Sequence, residues 1–300
     1  IIDEVSKATP PELLIPLMKA RKAILVGDHR QLPHVYNEDI FDELQNDGEI
    51  DENLREKGIR QSMFEYLKEK ADELEKKDNI KRTITLDRQY RMHKLLGNFI
   101  NQNFYEVYNE GFHSPLEDEI FKQDFYKTPL VWIDVKNTVD KEIKKGTSRK
   151  RESEANIIVN KLKEMITSGK GEKLTYGVIS FYKAQVDEIT EKLKKEGLSN
   201  KVKVGSVDAF QGMEFDVMFL SVVRTNTKES LNSSFPYGFL ASENRLCVAL
   251  SRQKRLLVVV GDSDIFHSKE WKELARKNVP AMVNLYELCL KEGEVIDGSK

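Results

Sequence analysis

Short unbroken apolar runs alternate along most of the chain with segments whose apolar residues recur every three to four positions. The first kind suits a strand buried on both faces, which needs no polar side. The second suits a helix with one buried stripe. Residues 23–26, 83–86, 130–135, 174–179, 202–207, 217–223 and 256–260 read as strands. A helix is expected after Pro10 and Pro11, with Leu13, Leu14, Leu17 and Met18 on one face. Others are expected over 62–75 (Met63, Phe64, Leu67), 95–108 (Leu96, Phe99, Ile100, Phe104), 152–168 (Ala155, Ile158, Leu162, Met165), 184–195 and 243–252. Residues 271–300 also read as helical. Strands alternating with helices imply an α/β fold of mostly parallel sheets covered by helices.

Two stretches break the alternation. Residues 37–81 are dense in Asp, Glu and Lys and read as an inserted helical segment or a partly disordered loop. Residues 138–151 read as a basic, glycine-containing loop. A coarse echo links 23–28 with 257–262, since both are apolar runs ending in Gly-Asp; two related lobes are one explanation and chance is another.

Composition narrows the class. A chain of 300 residues is long enough for two domains. With 39% hydrophobic and 33% charged residues it is too apolar for general disorder, and it has no apolar run long enough to span a bilayer. The 48 basic and 50 acidic residues exclude a uniformly basic coat but not a local basic groove. Cys247 and Cys289 both sit in apolar sequence, which argues against a disulfide framework and fits a reducing, cytoplasmic setting. The five histidines are scattered, so a zinc role has no support. The opening Ile1-Ile2-Asp3-Glu4 looks like the end of a buried strand, and the chain reads as a piece of a longer protein.

Several short segments carry candidate chemistry. An acidic pair ending a buried strand, Asp3-Glu4, can hold Mg²⁺ through one carboxylate and orient water with the next; it can equally cap the following helix. Gln31, in the loop Gly27-Asp28-His29-Arg30-Gln31-Leu32-Pro33, can donate to a phosphate, or the loop is a plain turn leaving a strand. Arg91, in Asp87-Arg88-Gln89-Tyr90-Arg91-Met92-His93, can stabilise phosphoryl charge or form a surface ion pair. The segment 206–214 (Ser-Val-Asp-Ala-Phe-Gln-Gly-Met-Glu) offers small and polar residues for close backbone approach to a ligand. Arg245 and Arg252, seven apart, are expected on one helical face, as a phosphate clamp or an ion-paired surface.

The ordered series Asp-Glu, Gly-Asp-x-x-Gln-Leu-Pro, Gln-Tyr-Arg-Met-His, Val-Asp-Ala-Phe-Gln-Gly-x-Glu and Val-Ala-Leu-Ser-Arg, running from residue 1 to about 262, resembles superfamily 1 helicases. Within them it looks like the group containing the nonsense-mediated-decay RNA helicase, senataxin-like proteins and related bacterial AAA-type helicases. The resemblance implies RecA-like lobes: 1–84 as the remnant of a first lobe and 85–300 as the second. It implies ATP and Mg²⁺ as ligands, with Asp3 on the metal, Glu4 activating water and Gln31 on the γ-phosphate. Arg91 and Arg252 would be arginine fingers. Glu214, with Gln211 and Gly212 shaping its loop, would contact the nucleotide. Residues 179–185 resemble the family's Thr-Pro-Tyr motif, with Ser180 for threonine and Phe181 for proline. Ser180, Lys183 and Ser206 would therefore meet single-stranded nucleic acid, DNA or RNA. His34 stands where many relatives carry a second proline.

One motif is absent from the sequence. No Gly-x-x-x-x-Gly-Lys-Ser/Thr phosphate loop occurs; Gly169-Lys170 is followed by Gly171 and has Glu164 where the first glycine belongs. The expectation is a helicase part whose partners are single strands and an upstream part of its own chain, inactive as an ATPase by itself. A non-hydrolysing binding module and a nuclease-coupled repair ATPase are the rival classes. The basic stretch 141–151 either adds electrostatic affinity for phosphates or is a solvated charge run.

Overall fold

Six apolar runs in the second part of the chain pair side by side in one direction. In the computed structural model, which describes residues 1–32, 62–232 and 235–299, the chain divides into two units, Ile1–Leu86 and Asp87–Lys300. Residues 33–61, which include His34 and much of the charged insertion, lie outside the described residues.

In the larger unit the strands are β1 (Leu130–Asp134), β4 (Tyr176–Ser180), β5 (Val202–Gly205), β6 (Phe215–Ser221), β7 (Gln253–Gly261) and β8 (Glu294–Asp297). Their order in the sheet is β5-β4-β6-β7-β1-β8, and every pairing is parallel. β1 and β4 are buried at every residue, which explains their continuous rather than alternating apolar sequence. Val131 and Ile133 face the helix α4 (Glu152–Thr167), whose Ile158, Leu162 and Met165 belong to the same core. Trp132 faces the other way. It meets Phe266 and Tyr286 edge-on at 5.6 and 5.1 Å and donates its indole N–H to the Gly261 carbonyl. Burial of each such side chain contributes about 1.5–3 kcal/mol.

The connection from β5 to β6 is short and holds only a single turn of 3-10 helix, Val207–Phe210. It crosses the sheet where glycine leaves room: a Cβ on Gly177 would run into Met218 and, at 3.0 Å, into Phe210 and Phe215. Residues 206–214 therefore pass from the carboxyl edge of the sheet to its amino edge while staying packed on it.

Several expectations change. Residues 83–86 form no strand: Ile84 and Leu86 are 77% and 79% exposed, and among the described residues no strand pairs with them, so β-favouring residues alone do not make one. The helix expected over 95–108 keeps α geometry only from Lys94 to Ile100 (α3), then loosens into a π turn over Asn101–Tyr105. Asn101 and Asn103 spend their side chains on Phe112 N and Phe99 O, in competition with the helix backbone. The basic stretch is a hairpin, β2 (Ile143–Lys145) and β3 (Ser148–Lys150), turning at Gly146 with φ +59°. The C-terminal end adds an edge strand, β8, beside β1 after the helix Pro280–Glu292.

In the smaller unit α1 (Pro10–Lys19) starts with a capping box between Thr9 and Glu12. α2 (Met63–Asp78) is capped by Ser62, whose hydroxyl accepts from Glu65 N. The apolar run 23–26 pairs through a single parallel bridge, Ile2 to Leu25, not a full strand.

Candidate nucleotide and nucleic-acid sites

In the smaller unit, the bridge decides the geometry. Ile2 N donates to Ile24 O at 2.9 Å and Val26 N to Ile2 O at 2.8 Å, so Asp3-Glu4 and Gly27-Asp28 leave the pairing side by side in the same direction. Gly27 permits this, since a Cβ there would lie 2.8 Å from a Val5 methyl. Asp3 Oδ1 accepts from Glu4 N, and Glu4 holds the left-handed backbone, φ 54°. Beyond Gly27, the Asp28 carboxylate accepts from Arg30 N at 3.0 Å and Gln31 Nε2 at 2.8 Å. Two motifs 24 residues apart in sequence, counting from Asp3 to Gly27, thus share one strand end.

In the larger unit, a second group assembles at the amino edge of the sheet, where β6 and β7 begin. Phe215 N donates to Arg252 O at 2.9 Å, tying the two strand entries together. Gln89 shapes the turn before α3: its Oε1 accepts from Arg91 N and Met92 N, and its Nε2 donates to Met92 O and Ser114 Oγ. Arg91, aimed by that turn, donates Nε to Glu214 Oε2 at 3.2 Å and Nη1 to Ser251 O at 3.2 Å. Lys254 Nζ reaches the other Glu214 oxygen at 2.6 Å. Lys254 first, and then Arg91, holds the Glu214 carboxyl below its ordinary value. Arg252 is buried beside them, donating Nε to Val248 O at 3.1 Å and Nη2 to Ser251 Oγ at 3.0 Å.

Three separate motifs therefore converge. Arg91, Glu214 and Arg252 are brought together, with Gln211 buried and Gly212 at φ +77° completing the turn that delivers Glu214. Lys254, Ser251 and Gln89 are partners that sequence reasoning gave no role. The hint for Lys254 was its place three residues past Ser251 in a basic run ahead of a strand.

The reading of Arg245 and Arg252 as one helical face is wrong. The helix Glu243–Ala249 ends before Arg252, with Leu250 as its cap. Arg245 lies instead toward the carboxyl edge, over the Phe239 ring at 4.8 Å and 4.0 Å from Asp208.

At the carboxyl edge stand the residues expected to meet nucleic acid. Lys183 is exposed and pairs with Asp187 at 2.8 Å, and Ser206 is half-buried just after β5. Ser180 is fully buried at the end of β4, its hydroxyl donating to Ser221 O at 3.3 Å, so it does not face solvent. Half of the basic residues of the stretch 141–151 are paired with nearby carboxylates: Arg149 with Glu142, Lys150 with Glu188, and Arg151 with Asp140 and Glu154. Lys141, Lys144 and Lys145 remain exposed.

A recess of about 690 Å³, lined by residues 123–128 with Gly293 and Glu294, includes none of these side chains. Among the described residues no cluster of three metal-ligating side chains occurs, and no helix is long and apolar enough to cross a membrane.

A family model described as an AAA domain matches residues 59–264, and a second one of the same description matches residues 1–39. The chain belongs to the AAA-domain family of superfamily 1 helicases. It is 30% identical over 308 residues to DNA polymerase alpha-associated DNA helicase A of Saccharomyces cerevisiae, covering 93% of this chain and 41% of that protein. It is 33% identical over 313 residues to Regulator of nonsense transcripts 1 of Dictyostelium discoideum, covering 99% of this chain and 21% of that protein. With the ATP-dependent helicase NAM7 of S. cerevisiae it shares 32% identity, over 87% of this chain and 25% of that protein. The chain thus spans about a fifth to two fifths of the length of these relatives. In this helicase-family chain the longer matched region contains Arg91, Glu214 and Arg252, and the shorter one contains Asp3, Glu4 and Gln31.

Proposed function

We propose that this chain is the C-terminal part of an ATP-dependent superfamily 1 helicase that couples ATP hydrolysis to movement along single-stranded nucleic acid. In this reading, residues 1–84 are the end of a first RecA-like lobe, and residues 85–300 are the second lobe. The observation that carries the proposal is the convergence of Arg91, Glu214 and Arg252 around Ser251. Two guanidinium groups held by one strand entry can deliver positive charge to a transferring phosphoryl group. Glu214 keeps Arg91 in place by an exposed ion pair, which is weak enough to be exchanged for a phosphate oxygen.

In the same reading, Asp3, Glu4 and Gln31 of the smaller unit carry the metal and water chemistry. Mg²⁺ is held by few protein carboxylates together with substrate phosphates, and the single hard oxygen donor set of Asp3 beside Gly27 fits that habit. The ion would neutralise phosphate charge. Glu4 would orient the attacking water and Gln31 would donate to the γ-phosphate. Lys183 and Ser206 would contact the strand backbone, whereas Ser180 acts by shaping the β4 end. The relatives' names, a DNA helicase and an ATP-dependent helicase, support this assignment. A cytoplasmic setting and a partnership with an upstream part of the same chain belong to the same reading.

Nucleic-acid-stimulated ATP hydrolysis, measured side by side for this 300-residue chain and for the longer protein that contains it, tests the proposal. Turnover in the longer protein alone supports it, because this chain has no phosphate loop. Turnover in neither favours a non-hydrolysing binding module, and robust turnover by this chain alone overturns the assignment of its site.

A further inference from the structure

Tyr182, Phe239 and Arg245 form a layered group that the site above leaves unused. Tyr182 follows the end of β4, and its ring meets that of Phe239 at 5.6 Å with a 51° tilt. The Arg245 guanidinium lies over Phe239 at 4.8 Å. Tyr182 is 4% exposed and acts as the floor, while Phe239 is 45% exposed and Phe235 in the same turn is 78% exposed. Gly238 N donates to Phe235 O at 3.1 Å, and Gly238 takes φ +53°. A Cβ at 238 would lie 2.5 Å from the Tyr182 hydroxyl, so glycine is what lets Phe239 close on Tyr182. Lys183 follows Tyr182 directly, and Ser206 lies two residues before Asp208, which faces Arg245 at 4.0 Å.

Resting on the single-strand reading above, we propose that Phe239 and Arg245 form a stacking step for one nucleobase of the bound strand, with Lys183 and Ser206 on the adjoining phosphates. An exposed ring over a buried aromatic floor is rigid, and the guanidinium lying over it, about a third exposed, offers a base its outer face and a positive charge. Every base has a π face, so such a step grips a strand without reading its sequence. A protein partner would need a broader apolar surface than one ring and one turn flanked by Lys183, Asp208 and Arg245.

The test compares binding of a thymidine oligomer and an abasic oligomer of equal length, which carry the same phosphates. The wild-type chain is expected to prefer the thymidine oligomer by at least about fivefold. Phe239→Leu and Phe239→Ala should abolish the preference and leave the salt slope unchanged, while Lys183→Ala should lower the slope by about one for both oligomers. Phe239→Trp should keep the preference. Circular dichroism and urea melts establish folding, and Phe239→Leu stands in if the alanine variant does not fold. A preference that survives in the folded Phe239 variants overturns the stacking step and leaves the single-strand reading intact. Wild-type protein that binds neither oligomer overturns both.

Discussion

Arg91 and Glu214, 123 residues apart in sequence, are joined at 3.2 Å by a guanidinium N–H donating to a carboxylate oxygen. Lys254 holds the second oxygen of the same carboxylate. The pair positions a cation at the entry to two central strands, where a buried arginine already stands. Because its members are about a third to a half exposed, it contributes little to folding and is available for function.

Glu214→Gln should therefore change unfolding stability by less than about 1 kcal/mol, as measured by urea denaturation. The same substitution in the longer protein should lower ATP turnover, because Arg91 and Lys254 lose their shared anchor. A large stability loss with unchanged turnover would reverse the assignment.

Arg252→Ala should lower ATP turnover of the longer protein by at least about tenfold while strand binding survives, since a finger acts on transition-state charge. Its guanidinium is also buried against Val248 O, so a stability loss of about 1–3 kcal/mol is expected alongside. Arg252→Lys keeps the charge without the planar fork and should remain impaired in turnover.

Gly212→Ala should destabilise the chain by about 1 kcal/mol, because φ +77° is costly for a residue with a Cβ. Nothing lies within 4 Å of that Cβ position, so the loss is conformational rather than steric. Gly177→Ala in contrast should cost more, since Met218 occupies the space. Thermal melts of the two variants compare the effects directly.

Glu154 should leave a pH signature on stability. It is fully buried, accepts from Ser221 Oγ at 2.6 Å and Val223 N at 3.0 Å, and pairs with Arg151 at 3.3 Å. Burial pushes its carboxyl up to about 7, against the pull of Arg151, Ser221 and Val223. The unfolded chain releases this proton near 4.5, so between those values the native state holds more protons. Its contribution to stability is fully present below about 4.5 and is lost as pH rises through about 7. Urea midpoints over that range should fall more steeply for wild type than for Glu154→Gln.

Much of this protein was legible along the chain. The strands of the parallel sheet announced themselves because burial on both faces demands unbroken Val, Ile and Leu, as in 256–260. The helix α4 was visible because one stripe, Ala155, Ile158, Leu162 and Met165, repeats at helical spacing. The candidate residues were legible as types: Arg91, Glu214 and Arg252 each sit in a short segment whose chemistry suits a phosphate.

Local sequence carries propensity and side-chain chemistry, but not partners. Only pairing with β1 makes a strand of Glu294–Asp297, whereas Ile84 and Leu86 pair with no described strand and stay exposed. Residues 243–252 looked like one helix bearing two arginines on a face. The fold instead ends that helix at Ala249 so that β7 can begin, and it sends Arg245 to Phe239 and Arg252 to the opposite edge. Ser180 shows the same limit, since its hydroxyl was readable as a donor but its burial depended on β6 lying alongside. The sequence by itself determined most of the central strands and helices, and which residues carry charge and hydroxyl groups. The tertiary structure decided which of those groups meet, because strand neighbours and crossover paths are set by long-range packing that no single segment contains.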